Sequence, residues 1–253
     1  MYRPRLIPAL LLQGNGLVKT VKFGSPRYIG DALHAVHLFN QFKADELLFL
    51  DINATKENRC IDIDLVISIG EEANMPFAVG GGITTVKQVE LLLKAGAERV
   101  VVGTSAARNP KLIQEISEEF GASTLAVCVD IKHRFFGGLK AVVANGKEKV
   151  PADIRDYIMR IQDLGAGELI IQSVDRDGMM IGYDIDLITS LNEQLTIPIT
   201  AMGGLDSLTT IKKNHPTLKL NGYAAGSLFV YQGAHQGVLI NYPNKNELSD
   251  LFY

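Results

Sequence analysis

Short apolar runs alternate with longer amphipathic ones along this chain. Arg5 to Leu12, Glu46 to Ile52, Pro76 to Val79, Arg99 to Gly103, Thr124 to Asp130, Glu168 to Ser173, Ile197 to Met202 and Asn221 to Ala225 read as eight strands. They are short, rich in Leu, Ile and Val, and apolar on both faces, as parallel strands covered on two sides are. Helical patterns lie between them. Val86 to Lys94 sets Val86, Val89, Leu92 and Leu93 on one face. Asn109 to Phe120 opens with Asn-Pro, a capping residue followed by proline in the first turn. Pro151 to Leu164, Asp184 to Leu195 and Asp206 to His215 follow the same plan, and a short terminal helix starts at about Lys245. Alternating strands and helices with short connections predict βα units on a parallel sheet. Eight units in about 250 residues predict an α/β fold of the closed (β/α)8 type, a TIM barrel. An open doubly wound sheet competes. It would place a glycine-rich fingerprint after its first strand, and Gln13-Gly14-Asn15-Gly16 is not one.

The chain also echoes itself. Phe77 to Ile83 resembles Ile199 to Leu205, Val102 to Ser105 resembles Ala224 to Ser227, and Ala44 to Leu48 resembles Ala166 to Ile170. Gly81 and Gly203, Thr104 and Gly226, and Glu46 and Glu168 each stand 122 residues apart. One period over half the chain predicts two half barrels, about 1–122 and 123–253, forming one domain.

Composition narrows the function. With 25 basic and 28 acidic residues the net charge is −3, which disfavours a non-specific nucleic-acid binder. Hydrophobic residues at 47% exclude disorder as the main state. Cys60 and Cys128 are too few for a disulfide framework and suit a reducing, cytoplasmic setting. No run approaches the roughly 18 apolar residues of a membrane span. Neither a metal site nor a cofactor is expected. His34 and His37 lie three apart on a helix, but no third ligand is near in sequence.

Twenty-four glycines are the composition's oddity. Gly80-Gly81-Gly82 and Gly203-Gly204 end strands 3 and 7; Gly103-Thr104 and Gly226-Ser227 end strands 4 and 8. Glycine lets backbone N–H groups close on an anion, and hydroxyls of Thr104, Ser105 and Ser227 add donors. Gly81, Gly82, Thr104, Gly203, Gly204, Gly226 and Ser227 are therefore candidate phosphate ligands, in two matched sets that suit a ligand phosphorylated at both ends. The alternative is a set of tight βα turns. Carboxylates form a second group: Asp51 and Asp130 close strands 2 and 5, and Asp175-Arg176-Asp177-Gly178 follows strand 6. At strand ends they can move protons, or they can cap helices and bridge loops. Cys128 reads as a small core residue, and His133 lies close to Asp130 in sequence. A third group begins strands 1, 2, 4 and 6: Arg5, Glu46, Arg99 and Glu168. Alternation turns all four into the barrel floor, where buried charges must pair.

Arg5-Leu6-Ile7-Pro8, Val18-Lys19, Leu50-Asp51-Ile52, Gly80 to Ile83, Asn109-Pro110, Val129-Asp130, Ser173 to Gly178 and Gly182-Tyr183-Asp184 resemble the HisF family, the cyclase subunit of imidazole glycerol phosphate synthase in histidine biosynthesis. The resemblance runs from Arg5 to about Phe229. It implies a barrel of two half repeats that takes ammonia from a glutaminase partner (HisH-like). The family condenses that ammonia with a bisphosphorylated substrate, yielding imidazole glycerol phosphate and AICAR. It implies catalytic roles for Asp130, Asp51, Lys19 and Asp177. It makes Arg5, Glu46, Arg99 and Glu168 an ammonia gate, with an arginine here in place of a lysine, and gives Glu98 a place in glutaminase docking.

The family's second key aspartate, at the end of strand 1, is missing. Alignment places Leu11 there, and leucine has no titratable proton. Gly103 replaces an asparagine, Gln172 a threonine and Met202 a serine. Leu11, Lys19 to Phe23 and the late segment Val238-Leu239-Ile240-Asn241-Tyr242-Pro243 resemble a paralogous branch. Its members occur in surface-polysaccharide pathways beside a glutaminase and an amidotransferase that converts a sugar N-acetyl group to an acetamidino group. The implied role is ammonia supply for that amidination. Two other readings stay open: an ammonia-dependent cyclase (a lyase), and a non-catalytic partner that activates a glutaminase. A sugar-phosphate isomerase is disfavoured, because it also needs the strand-1 aspartate.

Overall fold

A computed structural model describes residues 3–135, 137–192, 195–233 and 235–252. Its centre is a ring of eight parallel strands: β1 (Arg5–Gln13), β2 (Leu47–Asp51), β3 (Phe77–Gly80), β4 (Arg99–Val102), β5 (Leu125–His133), β6 (Glu168–Ser173), β7 (Ile199–Met202) and β8 (Gly222–Ala225). Each pairs with its successor, and β8 closes on β1 with Arg5 opposite Gly222. The chain forms a (β/α)8 barrel, and the eight predicted strands agree with those found to within two residues at either end, except that β5 runs on to His133.

Alternation along each strand sorts the residues into two shells. Leu6, Leu10 and Leu12 of β1 face outward into the layer beneath the helices. Ile7 and Ala9 face the axis, beside Leu48, Ala78, Val101, Ala126, Ile170, Met202 and Ala224. Many of these inner side chains are alanine, so the axis is narrow but not choked by bulky groups.

The helices of eight or more residues are α1 (Ala32–Phe42), α2 (Ile63–Glu72), α3 (Val86–Lys94), α4 (Lys111–Phe120), α5 (Ile154–Asp163), α6 (Ile185–Asn192), α7 (Leu208–Leu218) and α8 (Lys245–Phe252). Their starts follow local chemistry. Thr85 and Gln88 form a reciprocal capping box on α3, and Asp31, Asp153 and Ser207 cap α1, α5 and α7. The start of α4 differs from expectation. Asn109 makes no side-chain cap, because it ends a separate short helix, Thr104–Arg108, and Pro110 takes the capping position. Helix α7 runs past His215 and through Pro216; His215 is held there by the Tyr223 hydroxyl at 2.9 Å and by the edge of Phe252. Residues 193 and 194 of the predicted Asp184–Leu195 helix, and Met1 and Tyr2, lie outside the described residues. No described helix is long and apolar enough to cross a membrane.

The strand reading missed several antiparallel additions at the strand C-terminal end. Gly16–Lys19 folds back on β1 and pairs with Arg27–Asp31. Leu139–Val143 folds back on β5 and pairs with Glu148–Lys149. The latter hairpin turns at Asn145-Gly146, both at positive φ, as an Asn-Gly turn requires.

Candidate active site

The strand C-termini surround a cavity of about 400 Å³. Lys19, Asp51, Asp130 and Asp177 all line it, as do Gly81, Gly82, Thr104, Gly203, Gly204, Gly226 and Ser227. Residues spread over more than 200 positions of sequence thus converge on one mouth.

The repeat is visible in how the glycine turns pack. A Cβ on Gly82 would lie 1.8 Å from the Arg59 carbonyl oxygen, and one on Gly204 would lie 2.5 Å from the Gly182 carbonyl oxygen. Both residues have positive φ, 61° and 101°. Each half barrel therefore folds its odd-strand turn beneath the loop of the preceding strand, and only glycine fits. The even-strand turns differ. Thr104 Oγ1 accepts from the Ala144 N–H at 3.1 Å, which leaves the threonine proton free to donate. Ser105 instead donates to the Ile83 carbonyl at 2.5 Å, so its proton is used within the protein. In the other half, Gly226 makes room for a cation. A Cβ there would stand 1.9 Å from Lys19 Nζ.

Lys19 is 6% exposed. Burial lowers its pKa from the ordinary value, and the negative charge of Asp177 pushes it partly back. Asp177 is itself held by the Thr20 hydroxyl at 3.1 Å. Burial raises the Asp130 pKa to about 7. The Cys128 thiol, 3.7 Å from its Oδ1, and Lys132 oppose that rise, while Asp177 adds to it. A carboxyl poised near neutrality can both give and take a proton.

The remaining carboxylates are committed elsewhere. Asp51 Oδ1 accepts from the Asn53 and Ala54 N–H groups at 2.9 and 3.1 Å, and its Oδ2 from Arg59 at 2.6 Å. This carboxylate holds the β2 loop together at the cavity wall. Asp175 accepts from the His133 N–H at 2.7 Å. His133 is not a partner of Asp130: its Nε2 lies 2.6 Å from Asp184 Oδ2. Cys128 packs against the axial core cluster, and it also forms part of the mouth wall next to Asp130. Burial and the Asp130 charge push its thiol well above the usual range. Sequence reasoning passed over Thr20, Arg59 and the Ala144-Asn145 tip. Of these only the Asn145-Gly146 turn carried a local signal.

At the opposite end, Arg5, Glu46, Arg99 and Glu168 close into a ring. Arg5 reaches Glu46 at 2.5 Å and both oxygens of Glu168 at 2.7 and 2.8 Å. Arg99 reaches Glu168 at 2.8 Å and Glu46 at 3.3 Å. Thr200 donates a further hydrogen bond to Glu168. Immediately inside the ring is a void of about 10 Å³, about one water in size. Val101 borders both that void and the mouth cavity. Glu98 is exposed at the same end, next to Arg99. On the outer surface His37 pairs with Glu72 and Gln41. Among the described residues no cluster of His, Cys, Asp or Glu is arranged to hold a metal ion.

These features define a half-repeat (β/α)8 barrel with acid–base groups gathered between two glycine turns and a charged ring across its floor. The histidine biosynthesis protein profile matches residues 5–236, and the chain belongs to that family, in its HisF group. A protein of Leptospira borgpetersenii, carried under a provisional name as imidazole glycerol phosphate synthase subunit HisF, is 44% identical over the whole of both chains. A subunit provisionally named hisF3 in Vibrio vulnificus is 43% identical over 98% of this chain and 95% of its own. Imidazole glycerol phosphate synthase subunit HisF of Streptococcus sanguinis is 34% identical over 91% of this chain and 92% of its own.

Proposed function

We propose that this chain is a HisF-type subunit that receives ammonia from a glutaminase partner and serves amidination in surface-sugar biosynthesis. Ammonia enters through the Arg5–Glu46–Arg99–Glu168 ring, with Glu98 on the docking face, and travels along the axis past Ile7, Leu48 and Val101. A phosphorylated ligand sits in the mouth with its anionic ends on the two glycine turns. Asp130 and Lys19 handle protons beside it, and Asp177 tunes both.

Leu11 carries the choice of this role over ring closure. It lies at the mouth end of β1, opposite Leu50 on β2 and Val18 on the returning strand. Two apolar neighbours and no carboxylate leave Asp130 without a second acid–base partner on β1. A reaction that needs two positioned proton-transfer groups loses typically 10²–10⁴-fold with one removed. The floor ring and both glycine turns are retained, which fits altered chemistry better than decay.

One observation favours the cyclase as a second reading: Asp130 keeps a pKa of about 7 in the mouth. The two readings separate directly. Supplied with ammonium salt and the bisphosphorylated cyclase substrate, the protein is expected to form AICAR at least 100-fold more slowly than a two-aspartate cyclase. Leu11→Asp is expected to raise that rate. Comparable turnover by the unmodified chain would sink the amidination reading. Mixing with a HisH-like glutaminase is expected to stimulate glutamine hydrolysis. Stimulation without any effect of added sugar amidotransferase would leave a non-catalytic activator.

A further inference from the structure

Gln172 is the last residue but one of β6, and it lines the mouth. In the sheet register it stands beside Asp130 on one side and Met202 on the other. It is 2% exposed, yet its Oε1 has no hydrogen-bond partner. Its Nε2 points along the wall to the Gly203 turn, 3.1 Å from where a Cβ on that glycine would lie.

A buried amide kept for structure satisfies both of its ends, because an unpaired buried carbonyl is destabilising. The amides of Asn40 and Asn192 in this same protein do bond, to Glu72 and Leu218 carbonyls. Gln172 is different. Its strand neighbours are the titratable Asp130 and the apolar Met202, and Leu11, Leu50 and Cys128 line the same cavity. Beside these side chains the amide offers both a donor and an acceptor at every pH.

We propose that Gln172 is a specificity-determining residue: its carboxamide hydrogen-bonds the uncharged, hydroxyl- or amide-bearing middle of a ligand whose phosphates rest on the two glycine turns. This rests on the phosphate reading of those turns and adds to it what lies between them. The amide meets the ligand near the Gly203 turn with Nε2 as donor, or with Oε1 as acceptor of a ligand O–H or N–H once it turns about its soft terminal torsion. The apolar neighbours exclude water and strengthen these bonds.

The test uses two probes and one nearly isosteric variant. Inorganic phosphate reads the turns alone, and fructose 1,6-bisphosphate reads the turns plus a hydroxylated middle. Gln172→Met is expected to weaken the bisphosphate at least tenfold in calorimetric titration and to leave phosphate affinity within twofold. Its melting temperature is expected to be equal to or above that of the wild type, since an unpaired buried oxygen has gone. Gln172→Thr, the residue the family pattern has there, gives the same comparison with a smaller side chain. Equal bisphosphate affinity in wild type and both variants would overturn the role of Gln172. So would a melting temperature lowered by several degrees with both probes weakened alike, which is the signature of a structural amide. Failure of the wild type to bind either probe would strike the phosphate reading itself, and the Gln172 proposal with it.

Discussion

The two ends of the barrel treat buried charge in opposite ways. At the floor, two arginines and two glutamates pair with one another in a closed ring, Thr200 fills a further site on Glu168, and Arg5 Nε is left without a partner. At the mouth, Lys19 and Asp130 make no ion pair, although both are perturbed by burial. Groups that satisfy each other hold a structure shut. Groups kept apart in a low-dielectric pocket hold unfavourable energy that a ligand can relieve. The proposed function assigns the floor the part of a gate and the mouth the part of a ligand site, and the two ends differ as those parts require.

Breaking the floor is the severest test of this contrast. Glu168→Ala would leave Arg5 and Arg99 facing each other with only Glu46 between them. Loss of about 3–5 kcal/mol in denaturant-derived stability is expected, because an uncompensated buried charge remains. A loss below about 1 kcal/mol would mean that the ring is solvated and is no barrier. Burial raises the Glu46 pKa against the pull of both arginines.

Removing a mouth charge is expected to do the reverse. The Asp130 pKa rises from 3.8 to about 7 on folding. Between those values the folded chain holds a proton that the unfolded chain has released. Stability therefore falls as pH rises through this window, and the penalty is complete above about pH 7. Asp130→Asn removes it. The variant is expected to be more stable than wild type by about 2–4 kcal/mol at pH 8, with the gap closing as pH drops toward 4. A gap that is constant with pH would show that Asp130 is not desolvated. The same variant is expected to bind or process ligand worse, as a site that stores strain does.

The sequence made the floor more legible than the mouth. Eight apolar runs on both-face strands announced the barrel, and simple alternation from Arg5 and Glu168 placed four charges inside it. Floor residues sit on regular strands, so period-two counting suffices. Mouth residues sit at strand ends and in loops, where counting stops. The candidates there all line one cavity, but their partners are not readable from the sequence. Nothing local links Asp51 to Arg59, eight residues on, or His133 to Asp184 across 51 residues. Cys128 reads as an inward core residue from its apolar strand; it packs there and also lines the mouth, because β5 ends in the cavity.

The mildest test concerns the hairpin that covers part of the mouth. Its tip is fastened by the Ala144 N–H on Thr104 Oγ1 and by the Asn145 amide on the Ile52 carbonyl at 2.7 Å. Thr104 thus serves two ends at once, a scaffold bond that it accepts and a proton that it can give. Its half-barrel counterpart, Gly226, has no side chain and leaves its place to Lys19. Thr104→Val keeps the shape and removes both functions. A cost of about 1 kcal/mol is expected, read as roughly fivefold faster amide exchange at Ala144. Inorganic phosphate affinity should fall with it, since the free hydroxyl proton faces the mouth. Faster exchange with unchanged phosphate binding would make Thr104 a hairpin anchor only, and would leave the first half barrel to bind anions through backbone alone.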